Sequence, residues 1–209
     1  ANTTPLPTAL DGTTVKVKDS AGVERAAPLF FVSPTQINYQ IPAGTSAGTA
    51  TVSISVNNTL SASGSVIIAS VAPGLFTADA SGQGYPAAVV YRYRNNALIS
   101  VEAVARFDTA QNKFVAVPVD LGPDTDTLFL ILFGTGIRNR SNLSNVAATI
   151  GGAAAEAAFA SAQGDLIGVD QLNLRISRTL VTASGDVNVV VSVDGKAANT
   201  AKLSFKTGP

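Results

Sequence analysis

The chain has 209 residues, 46% apolar and only 13% charged, with 14 basic and 14 acidic side chains cancelling to zero net charge. That is enough apolar material for one large core or two modest ones, and with no basic run it lacks the positive footprint that nucleic-acid binding requires. Cys, His, Met and Trp are all absent, which excludes disulfides, thiol nucleophiles, Cys-ligated zinc and the commonest general base.

Alternation of apolar and polar residues runs through the chain and predicts strands. Residues 15–18 alternate, residues 29–32 are apolar on both faces, and Pro34 breaks that run. In Gln36-Ile37-Asn38-Tyr39-Gln40-Ile41, the amides share one face and Ile37, Tyr39 and Ile41 the other. Residues 49–56 alternate up to a turn at Asn57-Asn58, and residues 65–69 return. Together these outline a first sandwich over residues 1–70. Residues 71–88 gather Pro, Gly, Ser and Asp and read as a linker in which Leu75 and Phe76 tuck against a domain. A second, larger sandwich is expected over residues 89–209. It opens with Val89-Val90-Tyr91-Arg92-Tyr93, where Tyr91 and Tyr93 share one face, read as facing the core in preference to an exposed anchor for a partner, and Arg92 and Arg94 share the other. The run 128–133 is its strongest core strand. Residues 153–162 have helical propensity, yet they fall where a strand sits in the first half, so strand or irregular structure is expected.

The passage at 36–41 returns as Gln171-Leu172-Asn173-Leu174-Arg175-Ile176. It is again followed by an alternating strand, 186–193, and a turn, Asp194-Gly195. Such an echo means one structural unit used twice. The expected fold is all-β, as two tandem immunoglobulin-like β-sandwich domains.

Several phrases carry a resemblance: Ala27-Pro28-Leu29-Phe30-Phe31-Val32-Ser33-Pro34-Thr35-Gln36-Ile37-Asn38, Ala72-Pro73-Gly74-Leu75-Phe76-Thr77, Phe133-Gly134-Thr135-Gly136-Ile137 and Gly168-Val169-Asp170-Gln171-Leu172-Asn173. Across nearly its whole length the chain resembles the Solibacter-type uncharacterised C-terminal domain family of secreted acidobacterial proteins. The Gly-Thr-Gly-Ile step also resembles IPT/TIG immunoglobulin-like domains. The resemblance implies a module of exported proteins, extracellular or at the cell surface after signal-peptide removal, with immunoglobulin-like architecture and no catalytic residues to carry over. The small residue Ala1 and the absence of Met fit a processed product, and equally an excised C-terminal piece.

Candidate chemistry is sparse. The faces Gln36, Asn38, Gln40 and Gln171, Asn173, Arg175 are interaction candidates, able to meet glycan hydroxyls or a partner strand; the plainer reading has their amides serving neighbouring loops. Asp120, Asp124 and Asp126 are calcium candidates without EF-hand spacing, and turn chemistry around Gly122-Pro123 is the plainer reading. Glu24, Glu102 and Glu156 read as surface, so glycoside hydrolysis by paired carboxylates is not expected. Gly82-Gln83-Gly84 and Gly134-Thr135-Gly136 are bends, not phosphate loops. Residues 1–10, uncharged and Pro-bearing, could form an arm on a neighbour's sheet edge or a frayed stub. No cofactor is expected. The expected function is a non-catalytic exported structural or surface module. Its alternatives are a filament subunit joined by strand addition or edge pairing, and a glycan-binding module. The expected partners are other protein domains, copies of itself or surface glycans, with no nucleic acid and no membrane insertion.

Overall fold

The structure is a computed structural model that describes residues 4–180 and 184–206. It is all-β, with antiparallel strand pairs throughout, and it divides into two compact units, Ala1–Ser70 and Val71–Pro209. Among the described residues no helix is long and apolar enough to cross a membrane.

The first unit contains β1 (Ala9–Leu10), β2 (Thr13–Lys18), β3 (Glu24–Ala26), β4 (Leu29–Val32), β5 (Ile37–Tyr39), β6 (Gly48–Val56) and β7 (Thr59–Ile68). One sheet runs β1-β2-β6-β7 with β3 also on β2, and β4 and β5 form a separate pair. Strict alternation turns Val15, Val17, Ala50 and Val52 inward to meet Ala27 and Leu29 in a small core. Asn57 and Asn58 take φ values of 49° and 64° in the two-residue turn after β6, the left-handed geometry a tight hairpin demands. The proposed terminal arm does not extend over residues 7–10. Pro7 accepts a hydrogen bond from the Leu29 amide, and Ala9 and Leu10 pair with β2. Its first three residues lie outside the described part of the chain.

The second unit contains β8 (Gly74–Leu75), β9 (Ala88–Arg94), β10 (Ala97–Ala103), β11 (Ala105–Asp108), β12 (Lys113–Ala116), β13 (Asp126–Thr135), β14 (Val146–Ile150), β15 (Ala153–Ala154), β16 (Ala157–Ala162), β17 (Asp170–Ile176), β18 (Gly185–Val193), β19 (Lys196–Ala197) and β20 (Ala201–Phe205). A six-stranded sheet runs β10-β9-β13-β17-β16, with β8 on the end of β13. A five-stranded sheet runs β15-β14-β18-β19, with β20 also on β18. Leu128, Leu130 and Leu132 from the first sheet share a core with Ile150, Val189, Val191 and Leu203 from the second. The Ala-rich stretch expected to be strand despite its propensity is β15 and β16.

Two expectations are corrected here. Residues 71–88 are not a linker, because Val71 and Leu75 are buried in the second core and β8 pairs with the end of β13. The pairing requires glycine: a Cβ on Gly134 would stand 2.3 Å from the Gly74 carbonyl oxygen. The tyrosines of β9 do not face the core either. Val90 and Arg92 are its buried residues, while Tyr91 and Tyr93 are half-buried on the other face, where Tyr93 meets Phe129 edge-on at 5.9 Å.

The sequence echo is a repeat of structure, strand by strand. As β2 pairs with β3 and β6, so β14 pairs with β15 and β18. As β4 pairs with β5, so β16 pairs with β17, and both pairs carry an irregularity at the same place, between Leu29 and Phe31 and between Ala157 and Phe159. The hairpin β6–β7 corresponds to β18–β19, whose return strand breaks and resumes as β20.

Candidate functional site

The amide faces are built alike in the two copies. In the first, Gln36 Nε2 donates to Asn38 Oδ1 at 2.7 Å; in the second, Gln171 Nε2 donates to Asn173 Oδ1 at 2.8 Å. An i, i+2 pair on a strand points the same way, so each amide is its neighbour's partner. The irregularity in each strand pair sets a phenylalanine opposite the asparagine, Phe31 opposite Asn38 and Phe159 opposite Asn173. Both rings are substantially open to solvent, at 47% and 38%. Sequence reading missed these rings, since the bulge that brings them into register with the asparagines has no residue signature of its own. Gln40 is half-buried beyond β5, and its backbone N–H donates to the Pro28 carbonyl. Arg175, its counterpart, is exposed and lies 3.7 Å from Glu156, an ion pair largely screened by water.

The three calcium candidates bind different cations of the chain. Asp126, its side chain 1% exposed, accepts from Arg92 and Arg94; Asp124 accepts from Arg178; Asp120 accepts from Lys206 and from the Gly122 amide. The last bond, together with the Asp126 amide donating to the Pro123 carbonyl, is turn chemistry. Arg94, followed by burial acting the other way and then Arg92, holds the Asp126 carboxyl below its ordinary range. Glu102, read from sequence as surface, instead takes both Arg92 Nε and Nη2 on its two oxygens, a bidentate clamp. Arg92 can therefore sit on the buried face of β9 because two carboxylates and the Asp120 and Leu121 carbonyls surround it. Among the described residues no group of three or more acidic side chains is placed to hold a metal.

Asp124, Asp126, Glu156, Arg175 and Arg178 line an open cleft of about 460 Å³ in the second unit. The structure thus joins two candidates that the sequence kept apart, Arg175 and the acidic turn. Arg178 is already committed there, donating to the Leu121, Gly122 and Pro123 carbonyls as well as to Asp124. The cleft therefore works as a brace between the short helical turn Arg178–Leu180 and the 121–124 turn.

Two more aspartates do similar work that sequence reading did not foresee. Asp19, its side chain shut off from solvent, accepts from the amides of Ala21, Val23 and Ser46 and from Arg25. Asp170, directly before the repeated Gln171, accepts from the Ile137 and Arg138 amides and from the Arg138 guanidinium. No protein-family model and no curated protein matches the sequence.

Proposed function

We propose that this chain is a non-catalytic structural module of an exported or cell-surface protein, made of two immunoglobulin-like sandwiches that space, display or assemble other parts. One observation carries the reading. The same strand set recurs with the same irregularity and the same Gln–Asn bond, while the chain's buried charges serve to fasten loops to strands. A spacer needs that arrangement, because stiffness comes from closed hydrogen-bond networks and not from a reactive group. The low charge and the resemblance to a family of secreted C-terminal domains support the exported setting. Single-molecule force spectroscopy of the intact chain between handle domains tests the reading. It should show discrete unfolding events, with contour lengths matching residues 1–70 and 71–209. Featureless extension at low force would refute a load-bearing spacer.

A second reading is favoured by the duplicated Phe–Asn–Gln arrangement. An exposed ring beside two amides offers an apolar face to sugar C–H groups and hydrogen bonds to hydroxyls. A glycan array should then give signal that Phe31→Ala and Phe159→Ala together abolish. A blank array removes this reading and leaves the first intact.

A further inference from the structure

The two copies of the repeat end in the same hairpin but differ in what covers it. In the second unit the outer edge of β20 is closed: the Val119 amide donates to the Ser204 carbonyl at 2.8 Å, and the Lys206 amide to the Val119 carbonyl at 2.9 Å. The Lys202 amide reaches the Gly84 carbonyl at 2.8 Å. The break between β19 and β20 is pinned by Asn199, which exchanges hydrogen bonds with the Leu75 backbone. Exposed lysines at 196 and 202 guard the same margin, a common device against edge pairing.

In the first unit the corresponding strand is β7, which is continuous over ten residues, Thr-Leu-Ser-Ala-Ser-Gly-Ser-Val-Ile-Ile, with no charge and no proline. Among the described residues its only backbone partner is β6. Its first seven residues are exposed, and Leu60 and Ile67 stand 63% and 76% open. The register shift beside Ile54 puts an extra residue into β7 near Ser61. That shift places Leu60 opposite Ser55, on the same outer face as Ser63, Ser65 and Ile67, away from the core-facing Val66. The other edges of this unit are short: β1 and β3 on the far side of the sheet have two and three residues, and β5 has three and is boxed between Pro34 and Pro42.

We infer that β7 is an assembly edge that pairs antiparallel, about a twofold axis, with β7 of a second copy of this chain. This inference rests on the structural-module reading and names its partner. Edge strands with unpaired N–H and C=O groups recruit strands. An antiparallel twofold contact lays a strand against itself, so it favours a strand that carries no charge to repel its copy. Small residues from Ser61 to Ser65 let the two backbones approach without side-chain collision. The five-stranded sheet of one copy continues into that of the other. The contact is narrow, so the dimer is weak and concentration-dependent.

Sedimentation equilibrium of the intact chain up to millimolar concentration should show monomer and dimer in exchange. Ser63→Lys, at the centre of the small run from Ser61 to Ser65, brings two ammonium groups close together near the axis. It should raise the dimer dissociation constant about tenfold or more while leaving the melting temperature unchanged. The chain has no cysteine, so single Ser61→Cys, Ser63→Cys and Ser65→Cys variants report position cleanly. Under oxidation the variant nearest the axis should cross-link to its own copy and the others should not. A monomer over the whole concentration range overturns the inference. So does a dimer that ignores Ser63→Lys and gives no cross-link, which would instead place assembly on another edge and leave the structural-module reading standing. The force measurement involves no second copy, so it tests that reading separately.

Discussion

At the scale of single residues, Asp19 ties three stretches of the first unit together, the turn after β2, the strand β3 and the loop at Ser46. The Ser46 amide is the largest influence on its carboxyl, with Arg25 and the Val23 amide adding to it and burial acting against them; together they lower its pKa to about 2. An unfolded aspartate titrates near 4. A folded value below the unfolded one means the stabilisation is fully present above about pH 4 and lost as pH falls towards 2. The expected outcome is an acid transition of the first unit in that window, followed by amide NMR at Val15 and Val17. Asp19→Asn should flatten the pH dependence there and lower stability at neutral pH, since the amide loses the charge that four donors face. Stability of the variant that still falls between pH 4 and 2 with the wild-type slope would show that other carboxylates govern the transition. Nothing in Lys18-Asp19-Ser20-Ala21-Gly22 announces this role, because any turn accommodates an aspartate. Its donors at Arg25 and Ser46 come from positions that only the folded chain brings near.

At the scale of elements, what could be read in advance was whatever local pattern decides. Alternation located the strands, and the Asn57-Asn58 pair located a hairpin; Asn95-Asn96 makes the turn after β9 by the same chemistry, with φ of 49° and 62°. The face of a strand was legible only where one side was plainly apolar. In β9 both faces carry large amphipathic side chains, and the outcome was set by Asp126 and Glu102 reaching Arg92 from other strands. The Pro- and Gly-rich stretch after Ser70 misled for a related reason. The glycines that matter lie in and just after β13, where they let that strand approach the stretch closely: a Cβ on Gly136 would meet the Ala72 carbonyl oxygen at 2.0 Å. Of the candidate site, the amide pairs were legible and the opposing phenylalanines were not. The hairpin turn offers a direct test. Asn58 has φ of 64°, a conformation that Gly adopts freely and Ala resists. Asn58→Ala should lower stability by about 1 kcal/mol, while Asn58→Gly should hold or raise it, as type I′ turns prefer Asn-Gly. Equal melting temperatures for the two variants would mean that the turn relaxes to another type.

At the scale of the whole molecule, the two units share a strand set but not an equal core. The first buries Val15, Val17, Ala27, Leu29, Ala50 and Val52, three of them valines and two alanines. The second adds β8, β9, β10 and β13 to the side of the repeat that β4 and β5 form alone in the first, and it buries Leu128, Leu130 and Leu132 against both sheets. Burial of apolar surface contributes roughly 25 cal/mol per Å², so the unit with the larger core carries the greater resistance to opening. Opening free energies within one chain follow such local differences. Hydrogen exchange followed by mass spectrometry should therefore show β6 and β7 exchanging first, even though β6 is a central strand with partners on both sides. The strands β13 and β17 should exchange last, being paired along seven consecutive residues with Leu130, Leu132, Leu172 and Leu174 fully enclosed. If β7 pairs with a second copy, its protection should also rise with protein concentration while that of β13 stays constant, because association stabilises only the strands it buries. Protection of β6 equal to that of β13 at every concentration would mean that the two units open as one, and that core size does not set the order.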